Sequence, residues 1–197
     1  MLTLRKGGHR DLERYYPMME VDFDSEELIG KLALHRAISR GEVELLIAYD
    51  DETRLEAGYA LVCCRGLYGY VLLKYVAIFP WYRGKGLGVE TMRLVHKRYA
   101  DRQGILAELT EFADPEPDHL KKLFRFFGRF GYAEIPSDYR IGGTTAHVLV
   151  KPIRGEGEDI TPVYHRVLAD FYSRVLSPAA MSRMLDLHAV RTEKEGS

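Results

Sequence analysis

The run Arg83-Gly84-Lys85-Gly86-Leu87-Gly88 sets two cations and three alternating glycines between an apolar segment and an amphipathic one. Residues 71–78, rich in Val, Leu and Tyr, read as a buried strand. Pro80 ends it, because proline has no N–H to give a sheet. Beyond the glycines, Val89, Met92, Val95 and Tyr99 fall on one helical stripe. Strand, glycine loop and helix start make an anion site. The first amides of a helix have no partner inside it, and the helix dipole adds positive potential there. Glycine lets the backbone approach a phosphate closely, and Arg83 and Lys85 would add full charges. The dinucleotide fingerprint GxGxxG is absent, as is the Lys-Ser/Thr pair of the nucleoside-triphosphate loop. A tight turn between core elements would use the same glycines without a ligand, so the loop alone leaves both readings open.

The combination of apolar strand, Pro80, an aromatic pair, Arg83 and the glycines says more. The segment VAIFPWYRGKGLG resembles the acetyl-CoA-binding motif of the GCN5-related N-acetyltransferases (GNATs), Arg/Gln-x-x-Gly-x-Gly/Ala, matched by Arg83, Gly86 and Gly88. The resemblance implies a splayed sheet in which pantetheine lies as a false strand. The backbone of Val76, Ala77 and Ile78 would pair with it, and the amides of Arg83, Gly84, Lys85, Gly86, Leu87 and Gly88 would hold the pyrophosphate. The implied reaction is direct attack of an amine on the thioester of acetyl-CoA, with backbone donors near Ile78 stabilising the oxyanion and no metal.

An amine with a pKa near 10.4 is almost wholly protonated at pH 7, so a base helps. Many relatives carry a glutamate on the central strand where this chain has Lys74. A solvated or CoA-facing charge is the plainer reading of that lysine. Glu108, inside the apolar run 105–109, is the stronger candidate base. Burial would raise its pKa towards a useful range, whereas a nearby Lys or Arg would make it a paired carboxylate. His119 and His35 suit a helix surface better. Glu20, Asp22 and Asp24 would give the acceptor pocket an acidic rim, or are simply solvated. The family's tyrosine acid, in Phe-Tyr-x-x-x-Gly-Phe, aligns with Phe127, which has no proton to give and would border the cofactor. Tyr132 reads as core. Tyr139, in a segment resembling one that lines the acceptor pocket, is a second catalytic candidate, and Tyr75 a more distant one.

Charge and cysteine usage narrow the alternatives. A formal net charge of −1 gives no basic footprint, which argues against nucleic acid as the main partner. Cys63 and Cys64 are adjacent in a strand and point to opposite faces, so they are read as reduced thiols of a cytoplasmic protein. The polar N-terminus is no signal peptide, and no apolar run spans a membrane. A small amine or a protein amino group is the expected acceptor, and a homodimer is a reasonable prior. A non-catalytic acyl-CoA-binding sensor with a degenerate acid–base site is the rival reading. A protein binding another diphosphate nucleotide is a more distant one.

The elements that must position these residues follow in order. A first strand at 2–4 precedes a helix over 11–19 and a second from an N-cap at Ser25 to a stop at Gly41. Strands are expected over 43–49, 57–65 and the central run, and then the helix after the loop. A strand over 105–110 follows. A breaker cluster at 114–117 precedes a helix bearing Leu120, Leu123, Phe124 and Phe127, which Gly131 ends. Strands over 132–135 and 145–151 complete the order. The expected fold is α/β, a mostly antiparallel splayed sheet with helices on both faces, over 1–153. Residues 154–197 form an extension, with an acidic linker at 155–159, two helices starting at Thr161-Pro162 and Ser177-Pro178, and a mobile tail at 192–197. The helical pair is expected to dock on the main domain or on a second subunit.

Overall fold

The structure, a computed structural model, describes residues 1–111, 118–154 and 160–187. In chain order the strands are β1 (Leu2–Lys6), β2 (Val43–Asp50), β3 (Glu56–Cys63), β4 (Tyr70–Ile78), β5 (Gly104–Thr110), β6 (Ala133–Ile135), β7 (Tyr139–Ile141), β8 (Thr144–Pro152) and β9 (Leu185–Leu187). The helices are α1 (His9–Asp22), α2 (Lys31–Ser39), α3 (Leu87–Arg98), α4 (His119–Gly128), α5 (Tyr164–Val175) and α6 (Pro178–Met184). The sheet runs β1-β2-β3-β4-β5-β8-β7-β9, with β6 also on β8, and among the described residues only the β4–β5 pair is parallel.

Alternation along the strands divides the interior into two layers. Tyr70, Leu72 and Leu106 face α1, α2 and α5 in one core. Val71, Leu73, Ile105 and Ala107 face α3 and α4 in the other, with Met92, Val95 and Phe127. Cys63 and Cys64 divide between the two layers as free, buried thiols, as alternation requires. Burial pushes the Cys63 thiol up to about 12. The C-terminal helices dock on this same sheet. Tyr164, Val167, Leu168, Phe171, Tyr172 and Val175 of α5 are buried in the core that α1 and α2 share.

Several elements differ from expectation. The second helix begins at Lys31 after Gly30, not after Ser25. Asp24 takes the earlier amides for a separate turn: the Glu26 amide donates to Asp24 Oδ1 (2.9 Å), and those of Glu27 and Leu28 to the Asp24 carbonyl (3.1 and 2.9 Å). The Thr161-Pro162 start is a turn on the Ile160 carbonyl, and α5 begins at Tyr164. Ser177 caps α6 as its sequence suggests, accepting from the Ala180 amide (3.3 Å). Strands β7 and β9, three residues each, are too short to leave a periodic signal. The expected breaker cluster, acidic linker and tail lie outside the described residues. Among the described residues no helix is long and apolar enough to cross a membrane.

Candidate active site

The site begins where two parallel strands part. β4 and β5 are paired only from Tyr70↔Gly104 to Leu73↔Ala107. Beyond that point β4 stays with β3 as far as Ile78, and β5 stays with β8 as far as Thr110. A register shift marks the parting: Leu73 pairs with Val62 and Tyr75 with Leu61, so Lys74 is an extra residue in β4. Such a bulge bends a strand and increases its twist. It also lets Lys74 and Tyr75 serve the same layer. The edge of β4 that faces away from β3 is left unpaired over Lys74, Tyr75, Val76, Ala77 and Ile78. A cleft of about 920 Å³ fills the gap, with Val76, Ala77, Ile78, Glu108, Thr110 and Phe127 in its walls.

At the apex lies a buried charge cluster. Lys74 Nζ is 2.9 Å from Glu108 Oε2, with side chains 2% and 1% exposed. The Tyr172 hydroxyl donates to the same oxygen (2.6 Å). Among the described residues, Glu108 Oε1 is buried with no hydrogen-bond partner. The expected alternative of a lysine partner for Glu108 is therefore what the structure contains, and the partner is Lys74, which is not solvated. Tyr139 is 1% exposed, and its hydroxyl faces Glu108 and Tyr172 without hydrogen-bond geometry to either. It is not among the residues that line the cleft, where the sequence placed it beside the acceptor. Burial drives the phenols of Tyr139 and Tyr172 well above their ordinary range, so both stay protonated.

The glycine loop lies at the far end of the unpaired edge. Gly84 and Gly86 have φ of 77° and 76°, left-handed values that disfavour a side chain, and a Cβ on either would enter open space. The Val89 and Glu90 amides turn back to the Gly86 carbonyl (3.0 and 3.2 Å). Those of Lys85, Gly86, Leu87 and Gly88 have no backbone partner among the described residues. This cradle of open amides at a helix start fits a diphosphate. Lys85 is exposed and lies 5.3 Å over the Tyr82 ring. Arg83 differs from expectation. Its guanidinium donates to the Ile78 carbonyl (2.9 Å) and to Asp22 Oδ1 (3.0 Å), so it ties α1 to the end of β4.

The opposite rim is the connection between α1 and α2. Tyr75 fixes it: its hydroxyl donates to the Glu27 carbonyl (2.7 Å) and accepts from the Ile29 amide (2.8 Å). That use of both hydroxyl functions makes Tyr75 an anchor. Thr110 donates to Glu27 across the cleft (2.6 Å). Among the described residues, six carboxylates line the cleft (Glu20, Asp22, Asp24, Glu27, Glu108 and Glu111) against two cations, Lys74 and Arg83. His119 also lines it. His35 stands apart, bound to Glu13 (2.6 Å) and stacked on His9. Phe127 presents its ring to the cleft while packed edge-on against Phe126 and Tyr132. Tyr132 is core, as read from the sequence.

The same architecture occurs in solved acetyltransferases. A protein described as a GNAT-family acetyltransferase, from Bacteroides thetaiotaomicron, matches with a TM-score of 0.66 over 86% of this chain and 96% of its own, at 18% identity. The chain has the GNAT fold. The ribosomal-protein-S18-alanine N-acetyltransferase of Escherichia coli matches over 81% of this chain and 98% of its own (TM-score 0.58, 15% identity). Mutant forms of the spermidine/spermine N-acetyltransferase SpeG of Vibrio cholerae match over 78% and 95% (0.58, 13%). No family model and no curated protein matches the sequence.

Of the residues expected at the cofactor groove, Val76, Ala77, Ile78, Arg83 and Phe127 line the cleft, whereas those from Gly84 to Gly88 lie outside its lining, with Gly88 beside Ile78 and Phe126. Sequence reasoning missed Tyr172. The available signal was a tyrosine on the apolar stripe of α5, since a buried phenol needs a polar partner.

Proposed function

We propose that the protein is an acetyl-CoA-dependent N-acyltransferase whose acceptor is a cationic amine. The observation that carries this reading is the parting of β4 from β5, with an anion cradle at one end and, at the other, a carboxylate with one oxygen that has no hydrogen-bond partner among the described residues. Bound acetyl-CoA supplies the activated acyl group. The amides from Lys85 to Gly88 hold its diphosphate, and the unpaired edge of Val76, Ala77 and Ile78 takes its amide-bearing arm. Glu108 accepts the acceptor's proton at Oε1, directly or through a water. The acidic rim holds a second positive charge of the acceptor, whether a polyamine or a peptide amino group, the two kinds of acceptor named for the Vibrio and Escherichia structures. The test is release of free thiol from acetyl-CoA across a panel of amines, in which diamines should outpace neutral monoamines. Failure of every amine in the panel to release thiol would sink the assignment.

The rim makes its own prediction. Glu20 is exposed and lines the cleft, and Asp24 is its neighbour there. The double variant Glu20→Gln, Asp24→Asn should raise KM for a diamine about fivefold, the ~1 kcal/mol of an exposed charge pair. KM for acetyl-CoA should not move, and an equal rise in both would remove the rim from acceptor recognition.

Two observations favour a second reading, a non-catalytic acyl-CoA-binding module: Glu108 is already paired with Lys74, and Phe127 offers no acid. Phe127→Tyr separates the two. For an enzyme that works without a tyrosine acid, the variant should change turnover by less than about tenfold, or ~1.4 kcal/mol. Tight acetyl-CoA binding with no thiol release in wild type or variant establishes the binding module.

A further inference from the structure

Tyr172 has no part in the chemistry above. It belongs to α5, beyond the segment whose sequence resembles the acetyltransferases, yet its hydroxyl ends 2.6 Å from Glu108 Oε2. Lys74 Nζ shares that oxygen and lies 5.3 Å from the Tyr172 ring centroid and 5.4 Å from that of Tyr75. Among the described residues, two donors therefore converge on Oε2 and none on Oε1. Turning the carboxylate would break two hydrogen bonds to a charged group in a buried setting. We propose that Tyr172 is a positioning residue for Glu108, so that the C-terminal helix completes the active centre. The arrangement follows the logic of an activated site in which a third group orients the base. The inference rests on the reading of Glu108 as the base.

Glu108 is faced by Lys74 and Tyr75 from β4, Cys63 from β3, Tyr139 from β7 and Tyr172 from α5, with Glu27 of the α1–α2 connection beyond Tyr75. Of these, only Tyr172 and Lys74 donate to its carboxylate. Tyr172→Phe removes one of the two hydrogen bonds to Glu108 Oε2 while keeping the ring and its packing. The experiment follows the carbon-13 NMR signal of the Glu108 carboxyl at pH 7 in the full chain, identified by its absence in Glu108→Gln. In Tyr172→Phe that signal should move, because the carboxylate loses a donor and its fixed orientation. Turnover at pH 7 should fall about fivefold with acetyl-CoA affinity unchanged. In the Glu108→Gln background, Tyr172→Phe should cause no further loss. A signal that stays in place, or losses that multiply in the double variant, would overturn the proposal. Absence of thiol release by the wild type defeats the acyltransferase reading alone, because the NMR signal decides the role of Tyr172 without turnover.

Discussion

Glu108→Gln is expected to lower turnover at neutral pH by roughly 10²–10⁴-fold, the usual contribution of a general base. The deficit should shrink as pH rises towards about 10, where the amine loses its proton unaided. A pH–rate profile that keeps its height and shape would remove Glu108 from the chemistry. The variant should also be less stable, for a separate reason. Lys74 is 2% exposed and Glu108 is its ionic partner. Removing one member of a buried pair leaves an uncompensated charge, at a cost of about 3–5 kcal/mol. Lys74→Met added to Glu108→Gln should recover most of that stability in a denaturant melt while leaving turnover low. Recovery of both together would mean that the single variant was merely unfolded.

Gly86→Val is expected to weaken acetyl-CoA binding at least tenfold in titration calorimetry. Gly86 is the N-cap of α3, at φ 76° and ψ −1°, and a Cβ there meets no protein atom within 4 Å. Loss of one hydrogen bond between an amide and a charged phosphate, worth about 1.5–3 kcal/mol, is enough for that factor. A branched side chain in the left-handed region adds local strain of about 1–2 kcal/mol. That strain acts on a surface loop, so the core should survive and the melting temperature should fall by only a few degrees. Undiminished affinity in the folded variant would show that the loop is a turn and nothing more.

Sequence alone determined the parts of this protein whose signals are local. The phosphate loop was legible because its function needs backbone, glycine and a helix start in immediate succession, all within Arg83 to Gly88. The alternating apolar runs marked β2 to β5, and the Ser177-Pro178 pair marked the start of α6. Glu108 stood out as a carboxylate in an apolar strand. What surrounds Glu108 was a matter of tertiary structure. Lys74 is 34 residues away and Tyr172 is 64 away; only the parallel pairing of β4 with β5 and the docking of α5 bring them to one oxygen. The role of Lys74 depended on a single-residue bulge, because one added residue reverses the face of everything beyond it. The surroundings of Tyr139 were out of reach of the sequence for a related reason. It lies on a three-residue strand whose position is set by its partners β8 and β9, not by any pattern of its own. Local chemistry is written in neighbouring residues, whereas the environment of a buried charge is assembled from distant ones.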